Sequence, residues 1–107
     1  MQESYIKHLG FVVKKKELSY DEFIYHWMNT HAQLCKNLPN LLRYSINLVD
    51  KERFPKFEYD GFSELWYKTE EILEASFESH EGKILLADSV NFIESRFAIR
   101  TKEYQFI

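Results

Sequence analysis

Glycine, proline and cysteine are scarce in this chain of 107 residues: three, two and one. So few breakers leave no flexible linker, low-complexity tract or internal repeat, and the whole chain, 1–107, reads as a single domain. One cysteine, Cys35, excludes an intramolecular disulfide and every multi-cysteine zinc or iron–sulfur pattern. There is no excess of positive charge, since 14 basic and 17 acidic side chains give a net charge of −3. The run Lys14-Lys15-Lys16 is too short to neutralise a phosphate backbone, so no nucleic acid partner is expected. Long apolar runs are missing as well. Leu9 to Val13 is short and followed by no small-residue cleavage site, and nothing approaches the ~18 apolar residues of a membrane span. The expectation is a cytoplasmic protein with no membrane partner.

Aromatic residues, by contrast, are plentiful. Two Trp, seven Tyr and nine Phe must be covered by something, and a chain this short has a limited interior. A second apolar surface, and with it self-association, is the first consequence.

Alternation marks a strand over Tyr5 to Lys15, with Leu9, Phe11 and Val13 on one side and Ile6 and Val12 on the other. Ser19 and Glu22 then form a capping box, with Leu18 at the staple position. The helix they open is expected over Tyr20 to Asn37, stopped by Leu38-Pro39-Asn40. Phe23, Trp27, His31, Leu34 and Leu38 fall on one helical stripe, which puts a histidine in an apolar face. Leu41 to Val49 reads as the second strand, with Leu42, Tyr44, Ile46 and Leu48 opposite Arg43, Ser45 and Asn47. A charged and aromatic connection from Asp50 to Asp60 follows, either a lid, a partner contact or a loop pinned to its own domain. Phe62 to Lys68 is the third strand, dividing into Phe62, Glu64 and Trp66 against Ser63, Leu65 and Tyr67. Thr69 caps a second helix, Ser79 to Asp88 reads as a further helical piece, and Phe97 to Phe106 closes the domain as a fourth strand.

The order βαββαβ is that of the ferredoxin-like α+β fold: a four-stranded antiparallel sheet with helices on one face. Both faces of the third strand carry large apolar groups, so the uncovered face needs a second layer. A homodimer through the open sheet face supplies it.

Four stretches carry a resemblance. Trp27 and His31 stand in a Trp-three-residues-His spacing. Leu38-Pro39-Asn40-Leu41-Leu42-Arg43-Tyr44 is followed by Asn47, Asp60-Gly61 by Glu64-Leu65-Trp66, and Glu81-Gly82 by Ala87-Asp88 and Phe92. In order and context these resemble the EthD-like proteins of the dimeric α+β-barrel superfamily, over essentially the whole chain. Asn40 departs from the family's usual glycine, and asparagine tolerates the left-handed turn. The resemblance implies a compact dimer with a pocket between sheet and helices. Relatives are linked to ether degradation and to dehydration or decarboxylation of polyketide-derived aromatics. Others in the superfamily are monooxygenases, cyclases and isomerases that need no cofactor, so none is expected here. The label constrains the fold far better than the reaction.

His31 is the leading catalytic candidate, because a polar ring on an apolar stripe needs a partner. Tyr44, Glu64 and Asp88 are the groups that the topology could bring to its cleft. If the Phe62–Glu64–Trp66 face meets the helices, Glu64 pairs with His31 and orients it as general base. Tyr44 would donate to a carbonyl or enolate oxygen. Trp27 and Trp66 read as core aromatics with a share in the pocket wall. Asp60 and Asp88 are either ligand contacts or a turn and a cap, and Asn47 joins the ligand-binding set. Metal binding is not expected. His26 and His31 are five apart, about 140° round a regular helix, and no H-x-H or H-x-x-x-H spacing occurs.

The resulting expectation is a small homodimer that binds a compact aromatic or carbonyl compound and performs cofactor-independent acid–base chemistry: dehydration, isomerisation or cyclisation. Two alternatives remain open: a non-catalytic ligand-binding or accessory protein in which His31 is merely a satisfied core residue, and a cofactor-free monooxygenase.

Overall fold

The computed structural model describes residues 3–107. Strand β1 (Ser4–Lys14) leads into a continuous helical rod: α1 (Tyr20–His26), a π turn (Trp27–His31) and α2 (Ala32–Cys35). Strands β2 (Arg43–Leu48) and β3 (Gly61–Tyr67) follow, then α3 (Glu70–Glu78), α4 (His80–Asp88), a 3-10 turn (Ser89–Asn91) and β4 (Ile93–Tyr104). All strand pairs are antiparallel, in the order β2-β3-β1-β4. This is the expected ferredoxin-like α+β arrangement.

Local chemistry sets the boundaries. The Ser19 hydroxyl accepts from Glu22 N at 3.1 Å and the Glu22 carboxylate from Ser19 N at 2.8 Å, a reciprocal capping box. Thr69 and Ser79 cap α3 and α4 by a one-way bond, each hydroxyl oxygen accepting from Ile72 N or Gly82 N. After Pro39, Asn40 takes φ 62°, the one described non-glycine residue in the left-handed region. Strand β4 begins earlier than expected, at Ile93 rather than Phe97. It is an edge strand and mostly exposed, so no regular burial period marks its start.

The register decides which side chains meet the helices. Ile6, His8, Gly10 and Val12 pair with Tyr67, Leu65, Ser63 and Gly61, so these residues share the covered face. Phe62, Glu64 and Trp66 therefore point to the open face, the reverse of the assignment that would bring Glu64 to His31. Leu65 and Tyr67 are the better fillers, packing with Cys35, Leu38, Leu73 and Leu85, and the Tyr67 hydroxyl meets Ser76 Oγ at 2.7 Å. Glu64 and Trp66 find polar partners only on the other side.

A second core cluster joins Val12, Phe23, Trp27 and Phe92. Gly61 is required there. A Cβ at that position would stand 2.6 Å from the Asn47 carbonyl oxygen and 2.8 Å from the Trp27 ring, so only glycine lets the indole lie against the sheet.

Candidate functional site

Between the two core clusters lies a cavity of about 350 Å³. Its floor is the covered face of the sheet, with His8, Gly10, Ser63 and Leu65. Its roof and walls come from the helices and the turn before β4, with Trp27, His31, Cys35, Leu85, Ser89 and Phe92. Tyr44 closes the β2 side and Arg96 stands on the β4 side. This is an apolar chamber with a few polar groups, the usual build of a small-molecule site.

His31 reaches the chamber from the π turn. Ala32 N–H bonds to the Trp27 carbonyl, five residues back, so the rod widens by one residue per turn there. This narrows the ~140° separation that a regular helix would give His26 and His31 and brings the two rings to neighbouring sides of the rod. Both rings meet one carboxylate, Asp88 at the end of α4. His26 Nε2 lies 2.9 and 3.0 Å from the two Asp88 oxygens, and His31 Nδ1 lies 2.9 Å from Oδ2. Asn91 Nδ2 donates to Oδ1 at 2.9 Å, and the Phe92 ring packs on both imidazoles. An ionised carboxylate only accepts, so the proton sits on Nδ1 of His31 and Nε2 of His26. The Nε2 lone pair of His31 is left for the chamber.

The electrostatics agree with that assignment. Burial pushes the His31 pKa below its ordinary value, while the hydrogen bond and charge of Asp88 oppose the fall. Burial also works to raise Asp88, but the bonds from Asn91, His31 and His26 outweigh it and hold the carboxyl below its usual range. A neutral His31 beside an ionised Asp88 is a base held in a fixed tautomer.

Two floor atoms are buried without a hydrogen-bond partner among the described residues: the Tyr44 hydroxyl and His8 Nδ1. Burial, with Cys35 beside it, raises the Tyr44 pKa and keeps the phenol protonated. Burial, helped by Arg100 and Arg96, pushes His8 down to about 4, so it is neutral at pH 7. Cys35 is pushed up to about 12 by burial and remains a thiol.

Three of the residues singled out from sequence, His31, Tyr44 and Trp27, line the chamber, and Asp88 stands behind His31. The expected His31–Glu64 pair does not form. Glu64 sits on the open face, 2.8 Å from Lys7 Nζ and 3.1 Å from Asn47 Nδ2. Lys7 also meets Glu103 at 2.9 Å, and Glu103 accepts from Trp66 Nε1 at 2.7 Å, so Glu64, Asn47 and Trp66 form a network outside the chamber. Asp60 is elsewhere again. Its Oδ2 accepts from Lys14 N at 2.7 Å and Oδ1 from the Tyr20 hydroxyl, which ties the 50–60 connection to β1 and the start of α1. Sequence reasoning passed over His8 and Arg96. The signal for His8 was its two-residue phase with Ile6 and Val12, the same logic that picked out His31. Among the described residues no three His, Cys, Asp or Glu side chains could hold a metal ion.

The EthD domain model matches residues 15–96, from just after β1 through the first residues of β4. The chain belongs to the EthD family. Solved structures extend the likeness to the whole fold. An EthD family protein from Bacillus halodurans C-125 superposes with a TM-score of 0.82 at 20 % identity, over 92 % of this chain and 98 % of that one. A dimeric ferredoxin-like protein of unknown function from Thermobifida fusca YX gives 0.75 at 16 %, over 96 % and 94 %. A hydroxynitrile lyase from Passiflora edulis gives 0.77 at 12 %, over 98 % and 97 %. At these identities the shared property is the fold alone, the ferredoxin-like α+β arrangement of one four-stranded sheet with helices on one face. A comparison with the curated proteins finds no match. No helix among the described residues is long and apolar enough to cross a membrane.

Proposed function

We propose that this EthD protein binds a compact aromatic or carbonyl compound in the sheet–helix chamber and moves a proton on it without a cofactor. The observation that carries the reading is the His31 Nδ1 to Asp88 contact of 2.9 Å, which leaves Nε2 as a neutral base toward the cavity. Asp88 takes the orienting part that sequence reasoning gave to Glu64. Tyr44, protonated and unpartnered, donates to the oxygen on which negative charge develops. Proton removal beside a carbonyl and its return elsewhere covers dehydration, isomerisation and cyclisation. One protein of the same fold is a hydroxynitrile lyase, so the architecture supports lyase chemistry, although fold alone selects no reaction.

The unit of function in this proposal is a homodimer through the open sheet face. Leu9, Phe11, Phe62, Phe97 and Ile99 form an apolar surface there, with Phe97 52 % and Ile99 39 % exposed, and a second copy would cover it. Two proteins of the same fold are described as dimeric.

The test is hydrogen exchange in heavy water with aryl ketones such as phenylacetone, followed by NMR. The wild-type chain should accelerate loss of the α-proton signal, and His31→Asn should not. Equal acceleration by both would remove His31 as the base, and no acceleration by the wild type would leave the ligand-binding role as the better reading.

A further inference from the structure

The chamber wall carries a single full charge. None of the carboxylates lines it, and its other titratable groups, His8, His31, Tyr44 and Cys35, have pKa values displaced by burial toward their neutral forms. The exception is Arg96. It lies on the covered side of β4, opposite Val12, and its Nη1 makes one long contact, 3.4 Å to Ser89 Oγ. Arg100, the next cation along the same side of β4, is already neutralised by Glu70 and Glu74. Among the described residues Arg96 has no carboxylate partner at all. A guanidinium fork offers two parallel N–H donors to a planar anion, the geometry of a carboxylate.

We propose that Arg96 anchors the carboxylate of the chamber's ligand at its mouth, so that the compound preferred is an amphipathic aromatic or acyl carboxylate over its neutral counterpart. The apolar body lies between Leu65, Leu85, Trp27 and Phe92, and the uncharged end reaches His31 and Tyr44. This rests on the chamber being the binding site, as argued above, and adds the charge class of what enters it.

Titration calorimetry on the full chain separates the two claims. The probes are benzoate, phenylacetate and naphthoate, each beside its methyl ester. At least one acid should bind the wild type about ten-fold tighter than its ester, and Arg96→Gln should remove that advantage while leaving the ester's affinity alone. Gly10→Val supplies the control. Gly10 sits in an extended strand on the cavity floor, where a Cβ would press on Ser63 Oγ at 3.1 Å, a hydroxyl that can rotate aside, so valine fills the chamber and should block acid and ester alike. Acids and esters binding equally, or Arg96→Gln weakening both to the same degree, would overturn the anchor and leave the chamber standing. Binding undiminished by Gly10→Val, or no binding of any probe, would overturn the chamber as the site, and the anchor with it. Circular dichroism of each variant confirms that it is folded.

Discussion

His26 and His31, five residues apart, stand side by side on Asp88, each donating a ring N–H to the same carboxylate. The π turn makes this possible, and Asp88 is what the two rings have in common. Replacing Asp88 with Asn removes the charge and leaves a single carbonyl oxygen for several donors. Because the Asp88 bond and charge are what hold the His31 pKa up against burial, Asp88→Asn should lower it further. NMR titration of the His31 ring reads this directly, and an unchanged midpoint would refute the coupling. Turnover of any true substrate should fall by about 10²-fold, within the range of general-base contributions.

Tyr44 offers a test in which stability and function move in opposite directions. Its hydroxyl is buried without a partner in the free protein. An unsatisfied buried polar group costs about 1–3 kcal/mol, so Tyr44→Phe should leave the chain as stable as wild type or stabilise it by about 1 kcal/mol. Ligand affinity or turnover should nonetheless drop by about ten-fold or more, since the donor to the ligand's oxygen is gone. Paired urea denaturation and activity measurements check this. A destabilised variant would mean that the hydroxyl serves packing, not a ligand.

Most of the fold was legible because its signals are local or strictly periodic. The Ser19–Glu22 box, the Asn40 turn and the alternation of β1 and β2 each act within a few residues. The site was legible only in part. His31, Tyr44 and Trp27 were found because each sits in phase with apolar neighbours. Glu64 was misplaced because both faces of β3 carry large side chains, so periodicity does not tell which face meets the helices. The pairing of Glu64 with Lys7 and of Trp66 with Glu103 settles that, and those partners lie 57 and 37 residues away. The His26–His31 pair was hidden for a different reason. A single π turn leaves no sequence period behind, yet it shifts the phase of every residue after it.

His8 makes the protein sensitive to mild acid. Its folded pKa is about 4 and its unfolded value lies near ~6.5. Between those values the unfolded chain binds a proton that the folded chain refuses, so stability is full above pH ~6.5 and falls as pH drops toward 4. The lowered His31 value acts in the same direction, and the lowered Asp88 value extends the loss below pH ~3.9. The His8 share amounts to about 3 kcal/mol at ~1.4 kcal/mol per unit. Chemical denaturation at pH 7 and at pH 4.5 should show this loss in the wild type, and His8→Phe should flatten most of it. A His8→Phe variant with the wild-type pH profile would exclude His8 as the source.

The open sheet face gives the last expectation. Phe97 is half exposed, stacks on Tyr59 at 6.3 Å and pairs across the sheet with Phe11, which in turn packs on Phe62 at 5.0 Å. A carboxylate placed in this patch would be desolvated in a sheet-on-sheet dimer but hydrated in a monomer. Phe97→Glu should therefore convert a dimer into a folded monomer, with dissociation shifted by at least ~10²-fold as expected for an uncompensated buried charge. Sedimentation equilibrium at micromolar concentration measures it, with circular dichroism as the check on folding. If the wild type sediments as a monomer, or Phe97→Glu remains dimeric, the open face is not where two copies meet.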